Sequence, residues 1–344
     1  MHPGKFDMST NFWSNRRVLI TGSTGFKGGW LSLLLNSLGA DVTGVSLDPP
    51  TQPNLFNEAE ISQDIDNICA DIRDLPNLKR IFNEVKPSVV FHMAAQSLVR
   101  YSYDNPVETY EVNVMGTLNV LEAIRSADCV SAAIIVTTDK CYENKEWVWG
   151  YRENDPMGGF DPYSSSKGAA ELLVASYRNS YFPTSKYGIH GVSLASVRAG
   201  NVIGGGDWAA DRLLPDVIAS LEKNELPVVR NPSAIRPWQH VLEPLSGYIL
   251  LAENMVLDGV DFSEAWNFGP DQSDAKSVKW IVEKMLGLWG MDIDWRGHLG
   301  DQPHEAHFLR LDCSKAQSRL DWHPVWNLEK SLSKIHEWVT AGEK

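Results

Sequence analysis

Short continuous apolar runs alternate with longer stretches in which apolar positions recur every three or four residues, and this rhythm holds along most of the chain. The short runs, at 18–20, 41–47, 68–72, 88–93, 132–137, 192–197 and 265–268, read as buried strands, because a parallel strand covered on both faces has no polar side. The helical period appears between them at 30–38, 76–85 and 163–181. It appears again at 107–127 through Tyr110, Val114, Leu118, Leu121 and Ile124, and at the end through Leu328, Leu332, Ile335 and Trp338. Alternation of this length predicts an α/β fold: a Rossmann-type doubly wound parallel sheet with right-handed crossovers and ligands beyond the carboxyl ends of its strands. Residues 201–230 and 269–310 break the rhythm and are richer in Gly, Pro and Trp. They predict a smaller C-terminal substrate lobe interwoven in sequence with the sheet domain, with residues 12–198 and 232–268 in the sheet domain and residues 199–231 and 269–344 in the lobe.

The run RVLITGSTGFKGGW from Arg17 to Trp30 carries the first strand straight into Gly22, Gly25 and Gly28 and then into a helix. Each glycine has a physical reason: a tight turn that accepts positive φ, a backbone that a pyrophosphate can approach, and close packing of helix on sheet. The helix N-terminus adds free amides and partial positive charge, and Thr24, Phe26 and Lys27 complete the turn. Asp48 lies twenty residues beyond Gly28, at the end of the second strand, where a carboxylate accepts hydrogen bonds from an adenosine ribose. Asp71, followed by Ile72, ends the third strand and either meets an adenine edge or caps a turn. The small residues Ala94 and Ala95 after the fourth strand let a planar cofactor lie flat. No Lys or Arg stands between Ser46 and Gln52 to hold a 2′-phosphate, so the expected cofactor is NAD and not NADP.

The net charge of −13 and pI near 5.1 exclude nucleic acid and anionic membrane as expected partners, since both select basic surfaces. The cysteines, Cys69, Cys129, Cys141 and Cys313, have neither CxxC nor metal-ligand spacing. Buried thiols in a reducing cytoplasm are expected, and no metal. The first dozen residues are polar and no apolar run reaches membrane-spanning length, so a soluble cytosolic protein is expected.

Tyr163 and Lys167 stand i, i+4 at the head of a helix and share one face. A neighbouring ammonium and a cationic nicotinamide would lower a phenol from its usual value near 10 and make it a proton acceptor. Thr138, Asp139 and Lys140 follow the fifth strand and deliver a hydroxyl, a carboxylate and an ammonium to the carboxyl edge of the sheet. Tyr142 and the segment 147–149 are expected to wall that site. His240, His298, His304 and His307 lack a ligand pattern. Trp238 either packs on a nucleoside or on its own helix.

With TGSTGFKG as glycine motif and YSSSK as catalytic pair, the chain resembles the extended short-chain dehydrogenases/reductases. More narrowly, GFKGGW, TTDKCYENKEW, VRAGNVIGGGDWAADRLLPD and RPWQHVLEPLSGY are similar to the nucleotide-sugar 4,6-dehydratases, in particular the branch acting on CDP-glucose. The resemblance implies a homodimer, or a dimer of dimers, that feeds deoxysugars of the lipopolysaccharide O-antigen. It also implies a reaction cycle. Tyr163, assisted by Thr138, takes the proton of the sugar carbon 4 hydroxyl while hydride passes to NAD; a base removes the carbon 5 proton; water leaves carbon 6 with Asp139 as acid; hydride returns to carbon 6. Related dTDP-glucose dehydratases carry a glutamate where this chain has Lys140, which here would act either as the carbon 5 base or as an electrostatic stabiliser. Substrate contacts are implied at Gln96, Asn201, Arg212, Arg236 and Arg310; taken singly, each arginine also reads as a solvated surface residue. The alternatives are a dTDP-glucose 4,6-dehydratase, a 4-epimerase, or a non-catalytic NAD sensor.

Overall fold

The computed structural model describes residues 10–291, 294–298 and 308–341. Seven parallel strands form the main sheet: β1 Arg17–Thr21, β2 Asp41–Ser46, β3 Asp66–Cys69, β4 Val89–His92, β5 Ala132–Val136, β6 Ser193–Ala199 and, after three short strands, β10 Ala265–Phe268. The short ones are β7 Asn201–Ile203, β8 Val228–Val229 and β9 Ile235–His240; β11 Ala275–Ser277 and β12 Arg296–Gly297 follow. The sheet order is β10-β6-β5-β4-β1-β2-β3. Leu19 of β1 pairs in register with Thr43 of β2 on one side and Val90 of β4 on the other. The order reverses at β1, and a crevice opens there at the carboxyl ends.

Alternation along β1 divides the core. Val18 and Ile20 join Phe91, Ile134 and Tyr248 on the face covered by helices Phe26–Ser37 and Leu242–Leu257. Leu19 joins Val90, Ile135, Phe82 and Val120 on the face covered by helices Leu75–Val85 and Thr117–Arg125. Each such side chain, withdrawn from water, contributes about 1.5–3 kcal/mol. A third cluster holds the lobe together, with Leu214, Trp238, Ile281, Met285, Leu332 and Ile335. Strand β9 and helix Leu242–Leu257, neighbours in sequence, part company: β9 pairs with β7 and β11 in a separate small sheet, while the helix packs under the main one.

Three expectations change. The helix at 107–127 is interrupted by a wide π-type turn at Glu111–Gly116. That turn shifts the phase of the stripe, so Tyr110 is exposed while Leu121 and Ile124 are buried. It also places Asn113 inside, where its amide donates to Ser166 Oγ and to the Gln96 carbonyl, each at 2.9 Å. Strand β3 stops at Cys69 because it is the sheet edge, and the Cys69 thiol is exposed there; Cys141 and Cys313 are buried. Among the described residues no helix is long and apolar enough to cross a membrane.

Candidate active site

The turn after β1 is built by close contact. Gly22 adopts φ +79°, and a Cβ there would lie 2.7 Å from the Ala94 amide nitrogen at the tip of β4. A Cβ on Gly28 would lie 2.0 Å from the Gly22 carbonyl oxygen, so helix and turn touch backbone to backbone. At Gly25 the protein itself leaves room: among the described residues the only near atom is that same carbonyl oxygen, at 3.4 Å. The first helical turn has no internal partners for the amides of Phe26, Lys27 and Gly28. This is a cradle that side chains would fill, and a diphosphate fits its chemistry. Thr24 ties the turn to β2, its hydroxyl donating to the Leu47 carbonyl at 2.9 Å. Asp48 is exposed just past that strand. Asp71 accepts from the Arg73 amide at 2.8 Å and from its guanidinium at 2.6 Å, which holds the carboxyl below its usual value. Ile72 is buried against Gly116.

The helix Pro162–Ser180 begins on a firm cap: Asp161 accepts from the Ser164 amide at 2.9 Å and its hydroxyl at 2.6 Å, and Pro162 occupies the first turn. Tyr163 and Lys167 are both buried. The ammonium does not drive the phenol down, as their spacing had suggested. Burial dominates and pushes the Tyr163 phenol up to about 12, opposed by a hydrogen bond from Thr138 and the charge of Arg212. Lys167 donates to the Val136 carbonyl at 3.3 Å; burial lowers it to about 8 while Glu171, one turn on, holds its charge. Glu171 is clamped by Arg198 at 2.8 Å and by Ser196 at 2.7 Å, an ion pair with both side chains 4% exposed.

Thr138 caps the short turn Asp139–Cys141, accepting from the Lys140 amide at 3.3 Å and donating to Asp139 Oδ1 at 3.1 Å. The carboxyl is 2% exposed, and burial raises it to about 6 against the pull of Lys140. Its Oδ2 has no hydrogen-bond partner among the described residues. One cavity is lined by Phe26 and Lys27 from the glycine turn, by Thr138, Asp139 and Lys140, by Tyr163 and Lys167, and by Asn201, Arg212 and Arg236 from the lobe.

Comparison with known proteins decides the family. The GDP-mannose 4,6 dehydratase family model matches residues 19–335. The chain belongs to this dehydratase family. A CDP-glucose 4,6-dehydratase of Salmonella typhimurium is 56% identical over 96% of this chain and 92% of its own. A dTDP-glucose 4,6-dehydratase of Xanthomonas campestris is 26% identical over 94% and 93%. Among solved structures, the UDP-glucose 4-epimerase of Thermotoga maritima with UDP-glucose superposes with a TM-score of 0.82 at 20% identity, covering 95% of this chain and 99% of that one. The dTDP-glucose 4,6-dehydratase of Bacillus anthracis in complex with NAD superposes at 0.79 with 22% identity, covering 95% and 97%.

In this dehydratase the cavity also gathers Arg100 and Arg230, which stand in no motif of the sequence, beside the expected Arg212. Arg100 lies 3.3 Å from Asp211, which is 2.6 Å from Arg230; Arg212 is paired with Asp207 at 2.9 Å and donates to Ser97 Oγ at 3.1 Å. Nothing local distinguishes Arg100 and Arg230 from solvated arginines; only the fold brings them to the rim where Arg212 stands. Lys27 reaches the Tyr248 hydroxyl at 3.3 Å, and burial together with Lys167 and Arg212 lowers it to about 7.

Two substrate positions stand apart from the cavity. Gln96 spends its side chain on its own loop and the helix Pro106–Tyr110, donating to the Leu98 carbonyl and Thr109 Oγ1. Arg310 stacks on Phe308 at 4.7 Å. The expected aromatic wall is turned away from the cavity: Tyr142 stacks on Tyr151 at 5.1 Å, Trp147 on the same ring at 5.3 Å, and Trp149 is exposed. The Tyr142 phenol is claimed by Asn267 and Arg198, which accounts for its direction. Trp238 sits on β9, a strand rather than a helix, with its indole donating to the Lys276 carbonyl. His240 is a satisfied core residue: it accepts from the Leu242 amide, and burial lowers it to about 4. His304 and His307 lie outside the described residues. Among the described residues no three His, Cys, Asp or Glu are placed to hold a metal.

Proposed function

We infer that the protein converts CDP-glucose to CDP-4-dehydro-6-deoxyglucose and water, with NAD as a cofactor regenerated in each cycle. The observation that carries this reading is the single cavity in which the glycine turn, Tyr163 and the Thr138-Asp139-Lys140 turn converge. The CDP-sugar assignment rests on 56% identity across nearly the whole chain to an enzyme of that name. Gly22, Gly25 and Gly28 with the amides behind them would hold the NAD diphosphate, Asp48 the ribose, and Lys167 the nicotinamide ribose. When bound, NAD accepts a hydride from carbon 4 and gives it back at carbon 6, and its oxidised, cationic ring favours the Tyr163 phenolate. Tyr163 takes the proton of the carbon 4 hydroxyl, with Thr138 orienting that oxygen. Asp139, which its burial keeps protonated at higher pH than an exposed carboxyl, gives its proton to the departing carbon 6 hydroxyl. Lys140 acts on the step in which the carbon 5 proton leaves and returns. Asn201, Arg212 and Arg236 hold the sugar nucleotide, the guanidinium forks meeting its diphosphate.

The protein works in the cytoplasm as a homodimer, or a dimer of dimers, and supplies deoxysugars for O-antigen. Exposed apolar side chains on neighbouring helices support the pairing: Val107 is 70% exposed and Leu172 63%. Incubating the purified protein with CDP-, dTDP-, UDP- and GDP-linked hexoses tests the reading. A 4-keto-6-deoxy product from the CDP sugar is expected; product from the dTDP sugar alone overturns it.

A further inference from the structure

The short turn that carries Asp139 and Lys140 holds itself weakly. Its internal hydrogen bonds are long: the Lys140 amide reaches Thr138 Oγ1 at 3.3 Å, the Cys141 amide the Thr138 carbonyl at 3.3 Å and the Tyr142 amide the Asp139 carbonyl at 3.5 Å, against about 2.9–3.0 Å for a well-made bond. A buried ion pair that the reaction above does not use braces it from behind. Glu171 stands on the helix Pro162–Ser180, one turn past Lys167 and about two past Tyr163, on the same face. Each of its carboxylate oxygens accepts twice: Oε1 from Arg198 Nε at 2.9 Å and from the Thr137 hydroxyl, Oε2 from Arg198 Nη2 at 2.8 Å and from Ser196 Oγ at 2.7 Å. Arg198 Nη1 donates to the Tyr142 hydroxyl at 2.7 Å and to the Glu153 carbonyl at 3.0 Å, and the Tyr142 hydroxyl donates in turn to Asn267 Oδ1 at 2.8 Å. The pair therefore grips the chain at Thr137, just before Thr138, and at Tyr142, just after Cys141, and ties both points to the helix of Tyr163 and Lys167. Neither Glu171 nor Arg198 is among the residues that line the cavity.

We propose that Glu171 and Arg198 are positioning residues for the elimination: through Thr137 and Tyr142 the pair holds Asp139 and Lys140 in register with Tyr163, so that all three act on one sugar. The proposal rests on the dehydratase reading above. Tyr163 has anchors of its own, the Asp161 cap and Ser102 Oγ, which accepts from the Tyr163 amide at 3.2 Å. Lys167 is held by the Val136 carbonyl. Asp139 and Lys140 lie on the segment between the two grips. Releasing the grips leaves oxidation at carbon 4 in place and slows the loss of water, because a displacement of about 1 Å costs on the order of 100-fold in rate. Apolar side chains of equal volume would fill the space about as stably as the pair, but they have no planar fork to hold a carboxylate and a phenol in fixed directions at once.

The test cuts the grips and leaves both charges of the pair. Thr137→Val with Tyr142→Phe, loaded with NAD and mixed with CDP-glucose, is expected to reduce its NAD and keep it reduced, followed by absorbance, while kcat falls at least about 100-fold and KM stays close to wild type. Thr137→Ser with wild-type Tyr142 keeps both hydroxyls and is expected to turn over normally. In an enzyme already lacking the pair, Glu171→Met with Arg198→Leu, removing the two hydroxyls is expected to cost nothing more, since they act through the pair. Thermal unfolding and NAD titration check that each variant is intact. Where the pairless enzyme does not fold, Arg198→Lys replaces it, keeping a positive charge beside Glu171 while losing the fork that reaches Tyr142. Undiminished turnover without the two hydroxyls overturns the proposal. So does slow turnover in which reduced NAD does not accumulate, or an equal further loss in the enzyme without the intact pair. Absence of product with wild-type enzyme would refute the dehydratase reading itself, a result separate from these.

Discussion

Asp139 is stabilised as an acid by the same burial that makes it costly as an anion. Its folded-state value of about 6 lies above the ordinary 3.8, so below about pH 4 it adds nothing unfavourable, stability falls as the pH rises through 6, and above that the full cost persists. The difference corresponds to about 3 kcal/mol. Asp139→Asn is therefore expected to unfold at a higher temperature than wild type at pH 8, with the gap closing toward pH 4, while turnover falls at least about 100-fold. Thermal scans at the two pH values check this, and an unchanged midpoint at pH 8 contradicts it. Lys140 is separable from oxidation. Lys140→Ala is expected to reduce bound NAD on mixing with substrate yet release no 4-keto-6-deoxy product, followed by absorbance and product analysis; wild-type yield would remove Lys140 from the mechanism. Tyr163 shows why residue chemistry is only half visible in a sequence. Its spacing to Lys167 marks the pair, but a phenol pushed up to about 12 by burial, against the opposing pull of Thr138 and Arg212, owes that value to surroundings the spacing does not show.

At the level of elements, the turn after β1 and the helix Phe26–Ser37 behave as one unit, because the helix rests on the Gly22 carbonyl. Gly28→Ala puts a methyl group 2.0 Å from that oxygen, and the helix must move. The expected loss is about 1–3 kcal/mol of stability with NAD binding at least about tenfold weaker, read by thermal unfolding and by fluorescence titration. Gly287→Ala is the control: it lies in helix Val278–Trp289 with nothing within 4 Å of the new carbon, and is expected to be neutral or slightly stabilising. Strands and most helices were legible because periodicity survives burial. The π-type turn at Glu111–Gly116 was not, since nothing in the apolar spacing foretells an extra residue in one turn. Its reason lies in the contacts of Asn113 with Ser166 and Gln96.

The whole molecule is acidic, and it meets an anionic ligand by concentrating Lys27, Arg212, Arg230 and Arg236 around one cavity. Its outer helices leave Val107 and Leu172 in water, which a second copy would cover. Leu172→Arg is expected to shift the protein to monomers in sedimentation, a charge in the buried centre of an apolar interface being costly; an unaltered assembly would exclude this helix from the contact.

The order of residues alone determined the strand and helix rhythm, the glycine turn and the chemical identities at 138–140, 163 and 167, because these depend on spacing along the backbone. Only the tertiary structure decided which face each side chain took. It stacked Tyr142 and Trp147 on Tyr151, turned Gln96 toward Leu98 and Thr109, brought Arg100 to the cavity rim, and put Arg198 against Glu171, one turn from Lys167. Direction, burial and charge pairing arise between residues far apart in the chain, and they exist only once the sheet and the lobe have closed on each other.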